Sequence, residues 1–202
     1  VFDADPGPGF VIGILDLGML RGFGIYEGIA AIGGKPFHLH DHWERFIRSA
    51  QALGLAVPLS EADDERAIIE LAGHNAPGRR ASIRLVLTGG EAVGGLEHAP
   101  GQETVFVTAE PTIPLPADLY EKGAALITYE HQRALPEYKT INYITAVMLQ
   151  PERKAANAVE VLFVHDGNVL ECATSNSFIV KDGAVLTPKA GVLPGITRKV
   201  VL

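Results

Sequence analysis

Lys139 stands in Pro136-Glu-Tyr-Lys-Thr-Ile-Asn-Tyr143, between a loop and a helix. Its aromatic and apolar neighbours favour desolvation, which turns an ammonium into a usable amine nucleophile. A solvated surface ammonium is the commoner fate of a single lysine, so Lys139 gains meaning only from its company. Glu171 closes a strand-like run at 168–171, and the small polar stretch Cys172-Ala-Thr174-Ser175-Asn176-Ser177 follows it. Such a loop brings backbone close to a ligand; the alternative is an edge-strand carboxylate facing water. Farther on, Leu193-Pro-Gly195-Ile196-Thr197-Arg198 sets a Pro-Gly turn at the start of a helix. Amide N–H groups at a positive helix end suit an anion, although the motif alone also describes an ordinary loop-to-helix junction. Arg45, on another helix, adds a planar charged fork suited to phosphate. A salt bridge or a solvated face is its alternative.

An amine, a carboxylate and a phosphate cradle, in that order, are the parts of a pyridoxal 5'-phosphate site. A carboxylate beside the pyridine nitrogen keeps it protonated, and the protonated ring stabilises a carbanion at the substrate Cα. Five ordered segments then carry a resemblance. They are Gly24-Ile-Tyr26-Glu27-Gly28, Leu39-x-x-His42-x-x-Arg45-Phe46, Lys139, Glu171-x-x-Thr-Ser-Asn176-x-Phe178 and Leu193-x-Gly195-Ile-Thr197-Arg198. Together they resemble the class IV (fold-type IV) pyridoxal-phosphate aminotransferases. That group includes branched-chain and D-amino-acid aminotransferases and aminodeoxychorismate lyases.

The resemblance implies a transaminase that moves an amino group between a D-amino acid or branched-chain L-amino acid and a keto acid. It implies that Lys139 forms the Schiff base and shuttles the Cα proton. Glu171 would pair with the pyridine nitrogen. Arg45, with Ile196 and Thr197, would hold the phosphate. Tyr143 would reach the phenolate oxygen, and Thr174 and Ser175 would line the cofactor. Arg21, Tyr26 and Arg84 are the substrate candidates, with a surface turn as the alternative for Arg21 and a pair with Glu27 as the alternative for Arg84. D-specific relatives commonly carry an Arg-x-His pair after the strand at 81–90; here Gly89-Gly-Glu-Ala-Val93 stands instead. Ser82 occupies a place where branched-chain enzymes often have Tyr. An aminodeoxychorismate lyase-type pyruvate elimination and a catalytically silent cofactor-binding relative are the alternatives.

Other chemistries fit less well. His38-Leu-His40-Asp-His42 suggests alternate metal ligands on a strand, but Asp41 and Glu44 mark a helix start there, and no metal is expected. Gly22-x-Gly24-x-x-x-Gly28 has one residue too many for a dinucleotide loop and leads into a strand. Ser175 and Ser177 lack the Gly-x-Ser-x-Gly elbow of a hydrolase.

Composition agrees with a soluble, cytoplasmic enzyme. The 202-residue chain is 47% hydrophobic and has a net charge of −7, with no Lys/Arg run to meet nucleic acid or an anionic membrane. Its single cysteine forms no intrachain disulfide. No apolar run is long enough to span a bilayer.

The elements that must position these residues read as an α/β fold in two domains. Residues 1–112 form a small α+β domain, 111–116 a proline-rich linker, and 117–202 a larger strand-rich, cofactor-binding domain. A strand is expected at 10–15 and a hairpin over 25–40. A helix capped by Asp41 with Glu44 should run to about residue 53. A second, opened by Ser60 and Asp63, should turn Ile68, Ile69 and Leu71 inward. Strands follow at 81–87 and 104–109. Then come a strand at 124–129, one helix over 143–157 and four short strands from 159 to 186. Asp166-Gly167 and Asp182-Gly183 supply hairpin turns. The chain stops inside what reads as a helix, and the resembled family has a further C-terminal segment, so a missing C-terminal portion is expected. The family also implies a homodimer.

Overall fold

The computed structural model describes residues 11–202. It divides into two compact units. One comprises the residues up to Ile113 together with Tyr138–Asn142; the other comprises Pro114–Glu137 and Tyr143–Leu202.

The first unit runs α1 (Leu17–Arg21), β1 (Gly24–Ile32), β2 (Lys35–Pro36), α2 (Leu39–Leu53), α3 (Glu61–Asn75), β3 (Ala81–Thr88) and β4 (Thr104–Pro111). Its antiparallel sheet has the order β2-β1-β3-β4. Alternation along β1 and β3 sends Ile25, Ile29, Ala31, Ile83, Leu85 and Leu87 to one face. There they meet Phe46 and Ala50 of α2 and Ile68 and Leu71 of α3. Each large aliphatic side chain buried there contributes roughly 1.5–3 kcal/mol. The register places Tyr26, Gly28, Ser82, Arg84, Val86, Phe106, Thr108 and Glu110 on the other face.

Local signals explain most helix starts. Ser60 caps α3, and the Asp63 carboxylate accepts from the Ser60 N–H in return, as the sequence predicts. Within α3, Ile68 and Leu71 are buried but Ile69 is 46% exposed, against expectation. α2 starts before the predicted Asp41 cap: His38, in the left-handed region at φ 49°, is its N-cap and makes no side-chain cap bond. The Asp41 carboxylate binds His38 Nδ1 instead. Of the predicted strand at 10–15, Phe10 lies outside the described residues, and 11–15 form no strand. The chain there turns into α1, which Asp16 caps by accepting from Gly18 N. Thr88 Oγ1 also donates to Asp16, tying α1 to β3.

The second unit contains α4 (Ala117–Lys122), β5 (Leu126–Glu130), α5 (Ile144–Met148), α6 (Gln150–Ala155), β6 (Glu160–His165), β7 (Asn168–Cys172), β8 (Ile179–Lys181), β9 (Ala184–Leu186) and α7 (Ile196–Val201). β5 runs parallel to β6, β7 is antiparallel to β6, and β8 and β9 pair as a hairpin. Ala146, Leu149, Val161, Phe163, Leu170 and Val192 form the core. Both Asp-Gly turns have positive φ at each residue, 48° and 74° at 166–167 and 51° and 78° at 182–183. The predicted single helix over 143–157 is broken at Leu149. Pro151 has no N–H for the Val147 carbonyl, and its ring crowds that turn. α4 has no counterpart among the predicted elements. No described helix is long and apolar enough to cross a membrane.

Candidate active site

The segment around Lys139 extends the edge of β1. Tyr26 N donates to Lys139 O at 2.9 Å and Ile141 N to Gly24 O at 3.1 Å, so Thr140 bridges Ile25. Lys139 N donates to Ser49 Oγ at 3.3 Å, and Ser49 Oγ in turn donates to Arg45 O. The backbone of Lys139 is thus held by both a strand and α2. Its half-buried side chain lies with Nζ 4.4 Å from the Tyr26 ring centroid. An aromatic face favours a cation.

Beneath the sheet lies a buried ionic cluster. Arg45 Nε donates to Glu27 Oε1 at 2.8 Å and Nη2 to Oε2 at 2.7 Å, while His42 Nδ1 lies 2.7 Å from Oε2. Burial opposes ionisation of Glu27, but the Arg45 and His42 hydrogen bonds and charges outweigh it and hold the carboxyl below its ordinary range. Glu27 is therefore the partner of Arg45, not of Arg84. Glu27 sits opposite Leu85 and Arg84 opposite Gly28, so the two side chains leave opposite faces of the sheet. Nearby on α3, Asp64 is 1% exposed and neither carboxyl oxygen has a hydrogen-bond partner. Burial, then the charges of Glu27 and Glu61, push its carboxyl up to about 7.

In the second unit the centre is Glu171, 5% exposed at the end of β7. Asn176 Nδ2 and Leu193 N both donate to its Oε2, each at 3.0 Å, and Arg133 Nη1 lies 3.4 Å from Oε1. The Arg133 guanidinium also stands 5.9 Å from the Tyr143 ring centroid. Arg133 and the role of Asn176 were not read from the sequence. Thr174 and Ser175 are exposed: Thr174 N and Oγ1 bind Glu160, and Ser175 O accepts from Cys172 N.

Asn176 Nδ2 also donates to Leu193 O at 2.9 Å, joining Glu171 to the Pro-Gly turn. A Cβ on Gly195 would meet Asn176 Oδ1 at 1.9 Å, so this approach requires glycine. No side chain caps α7 at Gly195. Arg198 fixes the helix from below through Thr187 Oγ1 and Pro188 O. The second unit thus offers a buried carboxylate beside a helix start without a side-chain cap, and the first unit a lysine held at a strand edge.

The remaining candidates are placed as follows. Arg21 is exposed at the end of α1 and donates to Leu20 O. Arg84 Nη1 pairs with Glu110 Oε1 at 3.0 Å on the sheet face opposite α2 and α3. The three histidines of the 38–42 run go to separate carboxylates: His38 to Asp41, His40 to Glu61 and His42 to Glu27.

Residues 24–202 match the family described as amino-transferase class IV. A Methanocaldococcus jannaschii protein assigned as a branched-chain-amino-acid aminotransferase is 35% identical over 200 residues, covering 95% of this chain and 68% of its own. The D-alanine aminotransferase of Bacillus licheniformis is 32% identical over 196 residues, with the same coverages. The solved branched-chain aminotransferase of the archaeon Thermoproteus uzoniensis, with norvaline, superposes at TM-score 0.82 with 28% identity, over 96% of this chain and 69% of its own. The chain thus spans about two thirds of the length of these relatives.

Proposed function

The chain belongs to the class IV pyridoxal-phosphate-dependent aminotransferase family, and on that premise we propose that it moves an amino group from an amino acid to a keto acid. The observation that carries this reading is Lys139. Its main chain is held by Tyr26 and Ser49 while its amine lies over Tyr26, on the sheet face opposite α2 and α3.

Pyridoxal phosphate, when bound, supplies the electron sink for the charge left on the substrate Cα. Lys139 Nζ would hold the cofactor and would serve as the base that accepts the proton leaving the substrate Cα. Glu171, fixed by Asn176 and Leu193, holds the proton on the pyridine nitrogen. The Ile196 and Thr197 amides and the Thr197 hydroxyl would take the phosphate, and Arg45, itself paired with Glu27, would add charge. Thr174 and Ser175 shape the adjoining loop, and Tyr143 orients the phenolate oxygen. Arg21, Tyr26 and Arg84 receive the donor, a D-amino acid or a branched-chain L-amino acid.

The test is a half-reaction with a panel of L- and D-amino acids, followed at the cofactor absorbance. Conversion by one enantiomeric series supports the proposal and fixes the stereochemistry. Pyruvate release without a keto acceptor would identify a lyase instead, and cofactor binding without any spectral change would identify a silent relative.

A further inference from the structure

The face of the first unit's sheet that lies opposite α2 and α3 has a reactive end and a charged end. Tyr26, under the Lys139 amine, is opposite Val86, and Gly28 is opposite Arg84. Tyr26 and Arg84 are therefore diagonal neighbours, with side chains leaving the sheet about 7–8 Å apart. That separation is within the reach of one amino-acid substrate. Between them Gly28 contributes no side chain, leaving the sheet floor bare. The register makes Thr108 the opposite of Arg84 and Glu110 the opposite of Ser82, so Glu110 reaches Arg84 diagonally. Their pair measures 3.0 Å, with side chains 56% and 57% exposed. Around the pair the register places uncharged residues on this face, Tyr26, Gly28, Ala30, Ser82, Val86, Phe106 and Thr108, while Lys35 stands apart on β2, opposite Ile32.

We propose that Glu110 is a specificity-determining residue that occupies Arg84 and disfavours donors with an acidic side chain. The inference rests on the transaminase reading above. Arg84 by itself would offer a full positive charge to a second substrate carboxylate. Paired, the two side chains sum to zero, and Glu110 acts by keeping the Arg84 charge from an approaching carboxylate. An exposed ion pair is weak, so Arg84 is restrained rather than lost, and acidic donors are penalised rather than excluded. Donors with neutral side chains meet a platform of Tyr26, Val86 and Phe106 and feel the pair little.

The experiment measures kcat/KM of the holoenzyme for alanine and for glutamate, in the enantiomer that the enzyme accepts. Glu110→Gln should raise the glutamate-to-alanine ratio by about three- to fivefold, the size of a released surface pair. Arg84→Gln should lower the ratio, and Glu110→Gln should have no effect on it in the Arg84→Gln background. An unchanged ratio in Glu110→Gln, or a rise that persists without Arg84, overturns the assignment while leaving the transaminase reading intact. Failure of the unaltered holoenzyme to convert any donor overturns that reading and this inference with it.

Discussion

At the scale of single residues, the proposed chemistry rests on Lys139. Replacing it with Ala should lower turnover by about a hundred- to ten-thousandfold, the usual worth of a positioned proton carrier, and should abolish the borohydride-reducible cofactor adduct. An adduct that survives would point to another lysine. Asn176→Ala removes a donor from buried Glu171 and from the Leu193 carbonyl. It should lower kcat about tenfold, in keeping with a lost bond to a charged group. Glu27→Gln leaves Arg45 without its buried counter-charge and should cost about 3–5 kcal/mol of stability in a denaturant titration. Asp64 gives a pH signature of its own. Its folded-state carboxyl is raised to about 7, so its neutral form favours the fold at low pH. That stability is present below the unfolded-state value and is lost as pH rises through about 7. Asp64→Asn should therefore gain on the unaltered protein as pH rises from 5 to 8; parallel pH profiles of thermal unfolding would contradict this. The sequence singled out Lys139 and Glu171 by their chemically distinctive neighbours, and the structure holds Lys139 at a strand edge and buries Glu171 at the end of β7. Arg133 was not, because it lies 38 residues from Glu171 and only the folded chain joins them. Glu27 was given Arg84 as its possible partner; a one-residue offset across the strands sends the two to opposite faces.

At the scale of elements, the readable features were those with a local cause. The Ser60 capping box, both Asp-Gly hairpins and the strands at 81–88 and 104–111 follow from short-range hydrogen bonding and alternation. The start of α2 was misplaced because Asp41 has the chemistry of a cap but binds His38 Nδ1 from within the first turn. The break before Pro151 follows from a rule the sequence contains, yet the apolar periodicity on either side conceals it. The Gly195 turn is where element geometry meets function. Gly195→Ala would drive a methyl into Asn176 Oδ1 and displace the amide that holds Glu171. Cofactor affinity should fall by about ten- to a hundredfold, the cost of disturbed bonds to charged groups. Equilibrium dialysis measures it; unchanged affinity would show that α7 does not serve the phosphate.

At the scale of the whole molecule, family membership is secure while substrate choice is not encoded in any one motif. The fold-type IV α/β architecture was readable from the order of five segments, each of them ambiguous alone. In the proposed reading, donor preference depends on the side chains that share the sheet face opposite α2 and α3, which are set by strand register rather than by spacing. We propose that the enzyme acts as a homodimer, and sedimentation equilibrium of the full-length protein should give twice the chain mass; a monomer mass in active enzyme would contradict this. The most direct measurement of the central claim is a single-turnover titration of the full-length holoenzyme with one accepted amino acid. The prediction is conversion of the cofactor to its aminated form with one equivalent of keto acid released, and its reversal on adding a keto acid. Absence of that interconversion in a protein that retains cofactor on Lys139 would contradict the account.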